Sequence, residues 1–220
     1  MPAIARTQLP IIKRMKTARR LSPPGKPRGR PREFDIDTAL DGSIRVFRER
    51  GFHATSIVDL TQAMELAAGS VYKAFRDKTA LFLAAFDREQ ERRRQELRNT
   101  IDAANSGRDR IHAVLRFYVD ASYGAEGKRG CLLVGAAAEM STLDAAVARR
   151  VNDSLNSMRS LLADLISEGQ ADGSIAMEIN RHATASLIVC VLQGMRVIGK
   201  TGQSHAEMTA IADQAMRLLG

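Results

Sequence analysis

Several residue types are scarce in this chain of 220 residues, and each scarcity narrows what the protein can be. There is no tryptophan, aromatic residues make up 5%, and the only cysteines are Cys131 and Cys190. Two cysteines this far apart, with no C-x-x-C spacing, argue against a disulfide framework and a structural zinc site. The four histidines show no metal-ligand spacing either. We therefore expect no metal, no other cofactor and a reducing, cytoplasmic location.

Long apolar runs and internal prolines are missing as well. No uninterrupted run approaches the roughly 20 apolar residues that a membrane-spanning helix needs, and all six prolines lie within residues 1–32. The rest of the chain is rich in alanine and leucine, with apolar residues at helical spacing and neither strand-like alternation nor an internal repeat. The sequence therefore predicts an all-α fold of about nine helices and no membrane partner.

Charge is unevenly distributed along the chain. Residues 1–32 contain ten Lys or Arg and no acidic residue, and because the whole chain carries +8, residues 33–220 carry −2. The first segment is therefore predicted to be a disordered basic arm. Within it, Arg28 and Arg30 flank Gly29 between two prolines, which resembles an AT-hook core. Both arginines are predicted to contact DNA, either by minor-groove insertion or by non-specific attraction to phosphates.

The stretch 51–81 has the most informative pattern in the chain. Thr55 or Ser56 can cap a helix here, Ser56 and Asp59 have the spacing of a helix capping box, and apolar residues at helical spacing follow. A tight turn, a second short helix and an aspartate-capped long helix come next, and a further helix precedes the stretch. The arginines of that preceding helix (Arg45, Arg48, Arg50) are expected in solvent or near phosphate. The predicted helices are 35–50, 56–63, 67–75 and 78 to about 104.

The outward side chains of the second short helix suit a nucleic-acid groove. Ala68, Ser70, Tyr72 and Lys73 are small, hydrogen-bonding or cationic, while Val71 faces inward. A helix that enters the major groove of DNA needs small side chains for close approach and donors for base edges and phosphates. This helix is therefore predicted to read DNA.

A longer pattern surrounds these helices and consists of Ala39, Phe47, Gly51-Phe52, Thr55-Ser56-Ile57, Gly69-Ser70-Val71-Tyr72, Phe75, Asp77-Lys78 and Leu81-Phe82. In order and spacing, this pattern resembles the DNA-binding end of the tetracycline-repressor (TetR) family of bacterial transcriptional regulators. Glu65 departs from the family's usual turn glycine and Ala67 from its usual capping serine, and each departure costs about 1 kcal/mol.

The resemblance implies a helix-turn-helix DNA-binding domain over residues 33–93. Phosphate contacts are expected from Thr55, Tyr72 and Lys78, because phosphate contacts set register, whereas Ala68, Ser70 and Lys73 would face base edges. The predicted DNA-binding residues are Thr55, Ser56, Ala68, Gly69, Ser70, Tyr72, Lys73, Lys78, Arg28 and Arg30.

Residues 94–220 are predicted to form a helical regulatory and dimerisation domain. The run Gly130-Cys131-Leu132-Leu133-Val134, with Glu139 downstream, resembles the corresponding part of the family. Helices at about 180–198 and 204–219 suit an antiparallel four-helix dimer bundle, although the same apolar stripe also fits packing inside a monomer. The other predicted elements are helices over 108–122, 131–140 and 143–168 and a loop over 124–130.

A ligand-binding site is predicted among the apolar and aromatic residues of this second domain. Cys131 follows Lys128 and Arg129 at a helix N-terminus, where a thiolate that senses oxidants or electrophiles is one interpretation and a buried small hydrophobe is the other. Cys190 is predicted to lie in the core. The proposed effector-binding residues are His112, Phe117, Tyr118, Cys131, Glu139, Met158 and Met195.

Together these features favour a ligand-responsive repressor that binds a palindromic operator as a homodimer. The effector would be a small molecule or a reactive species. Two alternatives stay open: a non-specific DNA-binding protein driven by the basic arm, and an all-α enzyme. The second alternative is weak, because the sequence has no nucleophile elbow, paired-histidine motif or glycine-rich phosphate loop.

Overall fold

The structure, a computed structural model, describes residues 35–139 and 144–220. Every regular element within these ranges is helical, so the all-α prediction is confirmed. The α-helices are α1 Ile36–Arg50, α2 Ile57–Ala63, α3 Ala68–Ala74, α4 Lys78–Asp102, α5 Gly107–Ser122, α6 Gly124–Arg129, α7 Leu132–Glu139, α8 Ala145–Ala171, α9 Arg181–Ile198 and α10 His205–Met216, with 3₁₀ turns at Gly199–Thr201 and Arg217–Leu219.

Short-range capping interactions begin most of these helices where the sequence predicted. The Asp35 carboxylate accepts a hydrogen bond from the Asp37 N–H at 2.9 Å, and the Asp77 carboxylate accepts one from the Ala80 N–H at 2.8 Å. The capping box of Ser56 and Asp59 is fully formed at the start of α2. Each cap satisfies a backbone donor that the first turn of a helix leaves unpaired.

Two regions differ from the predicted element boundaries. The predicted loop over 124–130 contains the six-residue helix α6, so the loop assignment is wrong. Helix α8 begins at Ala145, capped by Asp144, and continues to Ala171, past the predicted end at Glu168. The structure does not describe residues 140–143, so the predicted lead into this helix lies outside the described residues.

The N-terminal helices share one apolar core with α7 and the start of α8. Phe47 of α1 packs edge-to-face on Phe82 of α4, with ring centroids 4.9 Å apart. Gly42 allows α1 to approach α2, because a Cβ at this position would lie 2.2 Å from the Ala63 carbonyl oxygen. Leu132 and Val151 complete this core from the regulatory half. The short helices α2 and α3 therefore pack in a core that is built from both halves of the chain.

A second core holds the remaining helices together. Ile111 of α5, Leu162 of α8, Ile188 and Leu192 of α9 and Met208 of α10 are all buried within it. Helix α9 contributes only one face, and Cys190 is exposed, so the prediction that Cys190 lies in the core is wrong. The reason is helical geometry: Cys190 lies about 200° around the helix from Ile188 and therefore on the opposite side.

Candidate functional site

Helices α2 and α3 are joined by a tight turn whose central residue has left-handed backbone geometry. Glu65 has φ of 54°, the one positive φ of a non-glycine residue among residues 35–139 and 144–220. The turn is closed by the Leu66 N–H, which donates to the Thr61 carbonyl oxygen at 3.0 Å. The turn therefore forms although glutamate stands at the position where glycine is usual.

Replacing Glu65 by glycine is expected to stabilise the protein by about 1 kcal/mol, because glycine adopts positive φ without steric cost. Thermal unfolding should shift upward by a few degrees. Glu91→Gly, in the interior of α4, is the matched control and should destabilise by about 1 kcal/mol. Equal shifts in the same direction for both variants would contradict a strained turn at Glu65.

Helix α3 has no side-chain cap, and its outer face is open. Ala67 at the N-cap position makes no capping hydrogen bond, as the sequence predicted. Val71 is buried, whereas Ala68, Gly69, Tyr72 and Lys73 are exposed and Ser70 is half-buried. Within the described part of the chain, no side-chain hydrogen bond or ion pair occupies Ser70, Tyr72 or Lys73. Their polar groups are thus available to a partner.

Two residues predicted to contact phosphate also have internal roles. Thr55 is 2% exposed, and its hydroxyl donates to the Gly51 carbonyl oxygen at 2.6 Å. The Lys78 ammonium donates to the carbonyl oxygens of Phe52 and Thr55 at 2.9 and 3.0 Å and lies 4.5 Å from the centroid of the Phe52 ring. Both side chains therefore hold the α1–α2 loop. Ser56 is engaged in the capping box, and the predicted contacts of Arg28 and Arg30 lie outside the described residues.

The carboxyl end of α7 touches the same α1–α2 loop. Glu139 accepts a hydrogen bond from the His53 N–H at 3.2 Å, and its carboxylate lies 3.9 Å from His53 Nε2. A Cβ at Gly51, where φ is 79°, would come within 2.1 Å of Glu139 Oε1. Glu139, predicted to bind effector, thus contacts the DNA-binding half of the chain in this structure.

At the other end of α7 lies a buried charged cluster that sequence reasoning missed. The Arg48 guanidinium donates to the Gly130 carbonyl oxygen at 2.9 Å through Nε, and it also bonds Glu126. Glu89, fully buried, lies 3.5 Å from Arg48 and accepts the Leu132 N–H at 2.9 Å. Arg93 pairs with the partly exposed Glu126 at 3.3 Å, and Arg196 donates to the Gly130 carbonyl oxygen at 2.5 Å. We define the charged cluster as Arg48, Glu89, Arg93, Glu126 and Arg196.

The expectation that Arg48 lies in solvent or near phosphate is therefore wrong, since the residue is 8% exposed. A usable signal was present in the sequence. Arg48 follows the core residue Ile44 by four positions, and Glu89 follows Ala85 by four, so both occupy the apolar face of their helices. Charged residues at core positions indicate buried partners, although they do not identify them.

Cys131 lies against this cluster immediately before α7. Its sulfur accepts a hydrogen bond from the Val134 N–H at 3.5 Å, and the residue is 6% exposed. Burial lowers the pKa of the Arg196 guanidinium, and the neighbouring Cys131 side chain opposes that shift. Arg196 and Arg93 are the cations near Cys131, whereas Lys128 and Arg129, inferred from the sequence, are exposed.

A cavity of about 420 Å³ lies between α4, α5 and α8. Of the predicted effector-binding residues, Phe117, Tyr118 and Met158 line it. Burial raises the pKa of Tyr118, which therefore stays a neutral hydrogen-bond donor. Met195 is buried in the second core, and half-exposed His112 lies 4.0 Å from Asp213. The structure does not place His112, Cys131, Glu139 or Met195 in the wall of this cavity.

Comparison with known proteins gives matches over most of the chain. Residues 39–85 match a family described as bacterial regulatory proteins of the tetR family, and residues 107–215 match a tetracyclin repressor-like C-terminal domain. The HTH-type transcriptional repressor ComR of Escherichia coli (strain K12) is 27% identical over 200 residues, which cover 88% of this chain and 92% of ComR.

Solved structures give the same result. The TetR family transcriptional regulator CifR, as a cysteine mutant complexed with 26bp double-strand operator DNA, is 31% identical with a TM-score of 0.78, covering 87% of this chain and 100% of CifR. The reduced form of E. coli NemR, 21% identical with a TM-score of 0.73, covers 84% of this chain and 97% of NemR, and shares the fold.

Proposed function

The chain belongs to the TetR family of bacterial regulatory proteins and is a DNA-binding transcriptional regulator, and we propose that it represses transcription by binding a palindromic operator as a ligand-released homodimer. The observation that carries this proposal is the open outer face of α3, whose polar side chains have no internal partner. Its relatives are transcriptional regulators, so we propose no catalytic role.

In this proposal α3 enters the major groove of DNA. Ser70 and Lys73 contact base edges, where Ala68 and Gly69 permit close approach, and Tyr72 contacts phosphate. Lys78 contributes at the rim of the groove and through the loop that it holds in place. Arg28 and Arg30 of the N-terminal arm add attraction to the DNA backbone or minor groove.

The exposed side of α9 supports the proposed dimer. Leu187, Val197 and Ile198 are 48%, 52% and 36% exposed, and Cys190 lies along the same side. Among the described residues, Arg181–Thr201 is also the single helix long and apolar enough for a membrane span, judged by length and composition alone. Helix α9 has a second, exposed apolar face in addition to the face that packs in the core, and this second face explains the high hydropathy of the helix. Packing this face with α10 against a second copy forms a four-helix interface.

We propose two routes by which an effector acts on this regulator. A small molecule can enter the cavity beside Phe117, Tyr118 and Met158. An oxidant or electrophile can react with the sulfur of Cys131, which lies beside the charged cluster. Since Cys131 is buried, that second route requires the packing around α7 to open. Either route must favour the released conformation by about 5 kcal/mol for full switching.

Selection of duplexes from a random pool tests the DNA-binding function. We expect recovery of a palindrome whose binding weakens steeply with salt, since each phosphate contact releases a counterion. Recovery of A·T-rich sequence without symmetry would instead favour the alternative of a non-specific protein driven by its basic arm. Removal of residues 1–32 should then abolish binding, whereas the proposed repressor should lose affinity but keep its sequence preference.

Lys73→Ala is expected to change which base is preferred at one position of each half-site by about tenfold or more, because a base-edge contact discriminates between bases. Binding of single-base operator variants measures this preference. Lys128→Ala, an exposed lysine in the regulatory half, is the control and should leave the preference intact. Uniform weakening on all duplexes would show that Lys73 contacts phosphate rather than a base.

A further inference from the structure

We propose that the cavity between α4, α5 and α8 binds an amphipathic monocarboxylate, an organic acid with one carboxylate and an extended apolar group. This inference rests on the proposed ligand-responsive function and specifies the chemical class of the effector. It is carried by the charges and apolar side chains that line the cavity.

One part of the cavity wall is apolar. Leu97 and Ile101 of α4, Phe117 of α5 and Met158 and Leu161 of α8 converge there. A volume of about 420 Å³ lies within the range of pockets that enclose organic ligands. These side chains offer no hydrogen bonds, so the part of a ligand that lies against them is hydrocarbon.

The other part of the wall is cationic and has no acidic residue. Arg93, Arg94 and Arg98, all on α4, line it together with Gln90. Clefts lined by charges of one sign concentrate ligands of the opposite sign. Guanidinium groups bind carboxylates through paired, charge-assisted hydrogen bonds, which makes an anionic head group the complement of this wall.

The existing partners of these arginines indicate how much negative charge the ligand carries. Arg93 reaches Glu126 at 3.3 Å, and its buried Nε has no hydrogen-bond partner. Arg94 pairs with Glu91 at the surface. Arg98 makes no ion pair within residues 35–139 and 144–220. Of the three guanidinium groups in this wall, that of the exposed Arg98 is the one without an ion-pair partner among the described residues, and one carboxylate would supply that partner.

Neutral polar groups provide further recognition beside the arginines. Ser154 and Ser157 of α8 and Tyr118 of α5 also line the cavity. Hydroxyl groups donate to carboxylate oxygens, so they extend the contacts that the guanidinium groups make. Helix α4 begins directly after α3, contributes side chains to both cores and also lines this cavity. The bound acid therefore contacts the helix that the two cores share.

Calorimetric titration of the full-length protein with hexanoate, octanoate and decanoate tests the proposal, with 1-octanol as the uncharged analogue and octyl phosphate as the alternative anion. We expect at least one acid to bind with one site per protomer. Arg98→Gln should weaken that acid by about tenfold, because a charge-assisted hydrogen bond is lost. Arg159→Gln is the matched control, since Arg159 is exposed on α8 outside the cavity wall.

The outcomes separate this inference from the proposed function. Absence of binding by all three acids, equal affinity in Arg98→Gln, or tighter binding of 1-octanol or octyl phosphate would each overturn the monocarboxylate. Binding of the selected palindrome is measured on the same preparations. If the palindrome is bound while the acids are not, the effector class is wrong and the DNA-binding function stands; if no palindrome is recovered, the proposed function itself fails.

Discussion

Leu187→Glu is expected to convert the protein to a monomer and to lower its affinity for the selected palindrome by at least about a hundredfold. Leu187 is 48% exposed in the single chain and lies on the apolar face of α9 that we assign to the dimer. A carboxylate there would be buried against the partner without a counter-charge, which the interface cannot compensate. The DNA-binding domain of each monomer would then bind its half-site alone, without the gain in affinity that comes from joining two such domains in one dimer.

Sedimentation analysis and operator titration measure the two effects together. Because Leu187 makes no contribution to the buried core of the single chain, the variant should keep its helical circular dichroism. Ser160→Glu introduces the same charge at an exposed position of α8 and serves as the control. A dimer that persists in Leu187→Glu with unchanged operator affinity would exclude this face of α9 from the interface.

Glu89→Gln is expected to lower the free energy of unfolding by about 3–5 kcal/mol, because the buried Arg48 guanidinium then keeps only the partly exposed Glu126 carboxylate as an ion-pair partner. Glu89 is fully buried, 3.5 Å from Arg48, and holds the Leu132 N–H at the start of α7. Removing its charge therefore loosens α1, α4 and α7 at once. Denaturant unfolding at a fixed protein concentration measures the loss, since dimerisation contributes to apparent stability.

Two further variants show whether the ion pair itself is responsible. Glu91→Gln removes a carboxylate from an exposed pair on the same helix and should change stability by no more than about 0.5 kcal/mol. Adding Arg48→Met to Glu89→Gln should recover part of the loss, because it removes the buried positive charge that has lost its buried partner. A double variant that is no more stable than Glu89→Gln alone would contradict the proposed ion pairing.

Much of the local structure was predictable because its determinants lie within a few residues of each other. The Ser56–Asp59 capping box, the Asp77 cap and the tight turn at Glu65 all formed where the pattern placed them. The same is true of the apolar face that buries Val71 and leaves Tyr72 exposed. These features depend on helical spacing and on backbone hydrogen bonds at helix ends.

Part of the candidate site was not predictable by this route. Phe117, Tyr118 and Met158 meet in one cavity, whereas His112, Cys131, Glu139 and Met195, which were predicted with them, do not line it. Cys190 was misplaced because α9 is apolar on two sides, and composition does not distinguish a face that meets the core from one that meets another copy. Side chains brought together from three helices have no fixed separation in sequence.

The sequence by itself determined the helical class, the caps, the turn and the outward face of α3, since each arises from interactions within one or two helical turns. Only the tertiary structure decided that Arg48, Glu89 and Arg196 share one buried cluster, that Lys78 holds the α1–α2 loop, and that Glu139 touches that loop. These contacts join residues far apart in the chain. Packing of whole helices, rather than any local pattern, sets which charges lose water together and must therefore pair.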